Sequence, residues 1–171
     1  LIFSQNITTT NSEDLTETVI NFGENTECGV KYNLCATAED LKGNSLSFQI
    51  EFNGYNSNVP LLVLSEVRTE YSKGKCEFIE LYALSDGNLS GVELICANGK
   101  NPIIYEFPSV NIKEGEYIVL HGRKLEEICI DELTDDLSSC IANESVKDAR
   151  DFWINNELAI TSFLYSIVSA S

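Results

Sequence analysis

Apolar and polar residues alternate along much of this chain with the two-residue period of a β-strand. The cleanest run is Ser45–Phe52, SLSFQIEF, which places Leu46, Phe48, Ile50 and Phe52 on one face. Just upstream VKYNL (30–34) alternates in the same way, and 36–41 reads as a helical turn or loop. A turn follows at 53–58, where Gly54 and several Asn residues accept left-handed backbone angles, and Pro60 opens the next element. Beyond it strands are predicted at 61–69, 76–84, 91–97, 103–107 and 116–121, separated by short Gly-, Asn- or Asp-bearing turns such as Asp86-Gly87. Many short strands with such turns, and no amphipathic helix beside them, predict an all-β fold, an antiparallel sandwich or barrel.

The pattern changes between Gly122 and Ala149. Glu126, Glu127, Asp131, Glu132, Asp135 and Asp136 crowd an irregular stretch that reads as an acidic insertion loop with room for a short helix. Strand signals resume at 152–154 and 159–168. The chain therefore divides into an N-terminal extension, 1–58, with a polar start followed by one or two strands, and a β-domain, 59–171. The expected core comprises Phe78, Ile79, Leu81, Leu94, Phe107, Ile118, Leu120 and Trp153, with Phe48 and Ile50 joining it or a separate N-terminal layer.

Charge narrows the function classes. Against 11 Lys and Arg stand 27 Asp and Glu, a net charge of −16. That surface repels phosphate backbones and anionic headgroups, which argues against nucleic acid as a partner. No run reaches the roughly 20 apolar residues of a membrane-spanning helix; the best candidate, 158–170, is interrupted by Thr161, Ser162, Ser166 and Ser169. The chain contains no Met, so an upstream segment such as a secretory signal is expected to have been removed.

Six cysteines, Cys28, Cys35, Cys76, Cys96, Cys129 and Cys140, include no Cys-x-x-Cys and no paired His, which disfavours a zinc site. Cys28 with Cys35, and Cys129 with Cys140, each close a short loop, so at least one disulfide is expected, against the alternative of six thiols used as small apolar side chains. Together with the acidic, Asn/Ser/Thr-rich surface this predicts an exported protein: periplasmic, cell-surface or secreted. Three nominal glycosylation tripeptides begin at Asn6, Asn88 and Asn143.

Candidate chemistry is sparse. His121 is the sole histidine and has no partnered nucleophile motif. Gly87–Gly91 has the wrong spacing for a nucleophile elbow, and no Gly-rich phosphate loop precedes a helix. Glu77 and Glu80 lie three apart on one strand and point to opposite faces, so they cannot converge on one bond. Glu66 and Glu80 sit across paired strands, where a structural role is favoured. Asp131, Glu132, Asp135 and Asp136 are weak calcium candidates, since flexible carboxylate loops suit that ion although the EF-hand pattern is absent. No catalytic or cofactor-binding residue is assigned.

Five pieces occur in an order that resembles the lamin-tail domain family: LVLSEV (62–67), CEFIELY (76–82), DGNLSGVEL (86–94), YEFPSVNIKEGEYIVL (105–120) and DARDFW (148–153). Val92 stands where that family commonly has an aromatic residue. The resemblance implies an immunoglobulin-like β-sandwich of the exported bacterial type, with Trp153 in the core. By elimination and by this resemblance, the expected function is a noncatalytic interaction module that binds protein partners through loops or edge strands. The alternative is an accessory or carbohydrate-binding domain of a secreted hydrolase, with Tyr55, Tyr71 and Tyr105 as candidate sugar-stacking platforms.

Overall fold

The computed structural model describes residues 7–13, 17–23, 25–69, 76–96, 103–154 and 165–169. Among these residues every regular element is a β-strand. The chain divides into two compact units, Leu1–Tyr55 and Asn56–Ser171.

In the first unit, β1 (Thr8–Asn11) pairs antiparallel with β2 (Thr18–Asn21), and β3 (Lys31–Glu39) with β4 (Ser45–Asn53). The helical turn or loop expected over 36–41 is instead strand as far as Glu39, because the chain stays in register with β4 through the Thr37↔Ser47 pair, whose hydroxyls lie 2.8 Å apart. The reversal comes at Asp40. Its carboxylate accepts hydrogen bonds from Asn44 Nδ2 at 2.7 Å and from the amides of Lys42 and Asn44, while Gly43 supplies the left-handed φ of 83°. Alternation puts Leu34, Ala36 and Ala38 opposite Ile50, Phe48 and Leu46 on one face. Contrary to the expectation from the sequence, Phe48 and Ile50 do not enter a core. Leu46 is 67% exposed and Ile50 50%, since one hairpin cannot enclose its own face.

The second unit holds a four-stranded sheet in the order β12-β11-β6-β5, formed by β5 (Leu62–Arg68), β6 (Phe78–Ala83), β11 (Tyr117–His121) and β12 (Arg150–Trp153). A three-stranded sheet runs β13-β8-β9, from β8 (Val92–Cys96), β9 (Ile103–Glu106) and β13 (Tyr165–Ser169). A short pair joins β7 (Gly87–Asn88) to β10 (Asn111–Ile112). One core draws on both larger sheets, with Ile79, Leu81, Ile118, Leu120 and Phe152 against Val92, Leu94, Phe107 and Ile112. Phe107 meets Phe152 edge-on at 5.3 Å. Gly87 sits where no side chain fits, because a Cβ there would collide with the backbone nitrogen of Pro60.

The ladders are antiparallel except β11–β12, which is parallel, with Ile118 opposite Arg150 and His121 opposite Trp153. This explains the acidic stretch. A parallel pair requires a crossover of a dozen or more residues, and 122–149 is that crossover, built of turns and extended pieces with no helix.

The expected disulfides are absent among the described residues: Cys28, Cys35, Cys76, Cys129 and Cys140 are free thiols. Cys35 lies on the polar face of β3, 3.6 Å from Asn33 Oδ1. Cys129 and Cys140 serve as small apolar side chains, packed with Cys76, Ala142 and Trp153 in a second buried cluster. The side chain of Cys96 lies outside the described residues.

Candidate functional site

Strand parity turns Ile79, Leu81, Ile118, Leu120 and Phe152 of the four-stranded sheet toward the core. Phe78, Glu80 and Tyr82 of β6, Tyr117, Val119 and His121 of β11, and Asp151 and Trp153 of β12 consequently face outward. Beyond the exposed Tyr117, that outward face is nevertheless buried across β11 and β12, Val119, His121, Asp151 and Trp153 included. Leu125, Cys129, Cys140 and Ala142 of the crossover join Trp153 and Cys76 in the cluster on this side.

His121 is the centre of this sealed half. Its Nε2 lies 2.8 Å from Asp151 Oδ1 and its Nδ1 3.5 Å from Cys76 Sγ, and its ring stacks on Trp153 at 3.8 Å and 10°. A carboxylate oxygen accepts, so Nε2–H donates to Asp151 and Nδ1 is left to accept from the thiol. Asp151 also accepts from the Val146 amide at 3.0 Å, which ties the crossover to β12. Thiol, imidazole and carboxylate in line form a nucleophile-activating arrangement in outline. Two facts oppose that use. Each member is within 1% of complete burial. Burial, reinforced by the carboxylates of Glu144 and Glu77, pushes the Cys76 thiol up to about 11, so it remains the protonated donor. The relay therefore fastens the crossover to the sheet.

The acidic residues of the crossover do comparable structural work at the open edge of β12. Buried Glu132 accepts from the amides of Cys140 and Asp151, each at 3.0 Å, and its own amide donates to the Asp151 carbonyl. Asp131 Oδ1 accepts from the Trp153 amide at 2.8 Å. Carboxylates thus stand in for a neighbouring strand. Arg150, almost fully buried, donates to Glu116 Oε1 and to the carbonyls of Glu132 and Thr134. Asp135 instead pairs with Lys113 at 3.3 Å in solvent, and Asp136 caps Ser138. The four calcium candidates accordingly serve separate partners, and no group of three His, Cys, Asp or Glu residues is placed to hold a metal among the described residues. Nor do Glu77 and Glu80 converge: Glu77 is buried against Arg123 at 2.8 Å, while Glu80 faces outward.

The β5–β6 half of the same face is open. Among the described residues β5 has no strand on its outer side. Val63 is 39% exposed, and Leu64 is 50% exposed although it lies opposite the buried Leu81. The ladder shifts register between Leu64 and Glu66, a bulge at Ser65 that places Glu66 directly opposite Glu80. Tyr82 and Tyr117 lie beside them, ring centroids 4.9 Å apart. Of the tyrosines considered for sugar stacking, Tyr55 is exposed, Tyr105 is half-buried and edge-on to Phe107, and Tyr71 lies outside the described residues. The Asn88 side chain is occupied by hydrogen bonds with Ser90, Ser109 and Asn111.

Sequence reasoning found His121 and the Glu66–Glu80 pair but missed Cys76 and Asp151 as partners of the histidine. The usable signal was RDFW, whose alternation sets Asp151 and Trp153 on one face. Only a parallel β11–β12 pair brings that face to His121.

No helix among the described residues is long and apolar enough to cross a membrane. The chain is 33% identical over 142 residues to a protein of Treponema pallidum (strain Nichols) described as an uncharacterized protein, an alignment covering 82% of this chain. It spans only 36% of that relative's length. No solved structure matches. A family model described as "protein second domain" matches residues 60–163. This corrects the resemblance to lamin-tail domains. The pieces behind it, such as FIELY and GEYIVL, are core-facing strand patterns that many β-sheets require, so they carry strand information and not family identity. The chain belongs to this second-domain family.

Proposed function

We propose that this chain is a noncatalytic protein-binding module whose contact surface is the open edge of the four-stranded sheet. The observation that carries this reading is β5, an edge strand unpaired on its outer side among the described residues, with exposed Val63 and Leu64. An unpaired edge offers backbone donors and acceptors to an extended segment of a partner, with side-chain contacts setting selectivity. Burial of the Cys76–His121–Asp151 relay supports the noncatalytic half of the proposal, because a substrate cannot reach the sulfur while the crossover is seated.

Within the second unit, the proposed arrangement of the two larger sheets is an immunoglobulin-like sandwich, supported by the single core to which both contribute. The proposed setting is exported or cell-surface. It now rests on the acidic, Asn/Ser/Thr-rich surface alone, because the described cysteines are unpaired.

The binding reading is tested by placing a photo-crosslinking residue at Leu64, and as a control at the exposed Leu133, in cells that make the protein. A protein cross-linked from position 64 and not from 133 is the expected outcome. No product, or the same products from both positions, would refute the edge as the contact surface.

A further inference from the structure

Three features converge on β5. Its outer edge is unpaired among the described residues, Leu64 is half-exposed beside the core, and Glu66 and Glu80 stand directly opposite one another on the outward face. Neither glutamate meets a cation among the described residues; the nearby Arg68 is engaged by Glu144 at 3.8 Å. Like charges directly across a strand pair are unfavourable, and nothing within the described residues offsets this pair. We propose that β5 accepts an extended, basic segment of another protein as an added strand. Lys or Arg side chains on one face of that segment meet Glu66 and Glu80, and apolar residues on the alternate face cover Leu64. The inference rests on the protein-binding reading above and narrows it to a partner chemistry.

Charge decides among the occupants. A second copy of this chain would bring another net −16 to the contact and set further carboxylates near Glu66 and Glu80. Nucleic acid would bring phosphates to the same carboxylates. A cationic strand is attracted at long range by the whole molecule and locally by the facing carboxylates of Glu66 and Glu80. The bulge at Ser65 interrupts the ladder, so pairing runs in two short stretches. Such a break guards an edge against indiscriminate strand addition and leaves charge to select the partner.

The test uses the intact chain, amide NMR, and two probes of about eight residues, long enough to span β5. One alternates Lys with Val or Thr; the other carries Glu in place of Lys. The Lys peptide is expected to shift and protect amides of Leu62–Arg68, and the Glu peptide to leave them unchanged. Glu66→Gln with Glu80→Gln should weaken the Lys peptide about fivefold, and salt near 0.5 M should do the same to the unaltered chain. Equal binding of both peptides, unweakened binding to the double variant, or shifts confined to other strands would overturn the proposal. So would concentration-dependent protection of β5 without peptide, which would assign the edge to a second copy. A cross-link from Leu64 combined with failure of the Lys peptide would sink the basic strand and leave the binding module standing; failure of both would remove both.

Discussion

Glu132 gives the sharpest test of the idea that the acidic crossover is built structure and not a solvated loop. Replacing it with Ala removes the acceptors for two buried amides, those of Cys140 and Asp151, and a longer contact to the Ser139 hydroxyl at 3.4 Å. A buried donor left without a partner costs about 1–3 kcal/mol, and removing a buried carboxylate returns part of that, so Glu132→Ala should cost about 2–4 kcal/mol. For a unit the size of Asn56–Ser171 this lowers Tm by roughly 8–16 °C. Glu132→Gln should fall between, since one of its terminal atoms becomes a donor facing a donor. Trp153 is the sole tryptophan and belongs to the cluster that the crossover closes, so its fluorescence during urea unfolding reports this region directly. Asp135→Ala and Asp136→Ala, three and four residues along but exposed, serve as controls and should leave the unfolding midpoint essentially unchanged. If Glu132→Ala matched those controls, the account of the crossover as an edge cap would be wrong.

Other outcomes follow from the same structure. The Cys76 thiol lies above its ordinary value of 9.0, near 11, chiefly through burial, so the folded state holds that proton more tightly than the unfolded one. Its contribution is complete below about pH 9 and lost as pH rises toward 11, about 1–3 kcal/mol in total; urea unfolding of the unaltered chain should therefore fall more steeply over that window than that of Cys76→Ala, and parallel profiles would refute the assignment. In the folded, reduced protein near pH 8, iodoacetamide should label Cys28 and Cys35 well before Cys76, Cys129 and Cys140, as read by peptide mass spectrometry; early labelling of Cys76 would mean the crossover opens readily. Gly87→Ala should destabilise by about 2 kcal/mol or more in thermal melts, since the collision is with the Pro60 backbone and not with a movable side chain.

Much of the fold was legible because a β-sheet writes its faces into the sequence with period two. SLSFQIEF, CEFIELY and GEYIVL each mark a strand, and six of the eight expected core residues, from Ile79 to Leu120, lie in the main core. Phe78 and Trp153 escaped that reading: both are apolar but sit on the outward parity, and Trp153 is buried by the crossover. Pairing direction was not legible, because alternation in RDFW is the same whether β12 runs parallel or antiparallel to its neighbour. The 122–149 segment therefore read as an insertion, and Asp151 was not connected to His121. Glu132 also reads as one more surface acid, and only three-dimensional placement distinguishes it from Asp135. The lamin-tail likeness had the same origin, since edge and core patterns are shared by unrelated sheets.

The central claim is that one face of the four-stranded sheet is sealed over β11 and β12 and open at β5. Native-state amide hydrogen exchange on the intact chain tests it most directly. The account predicts slow exchange at Asp151 and Trp153, whose amides are held by Glu132 and Asp131, and fast exchange at the β5 amides that point away from β6. Uniform protection along Leu62–Arg68 in the free protein, or rapid exchange at Asp151 and Trp153, would contradict it.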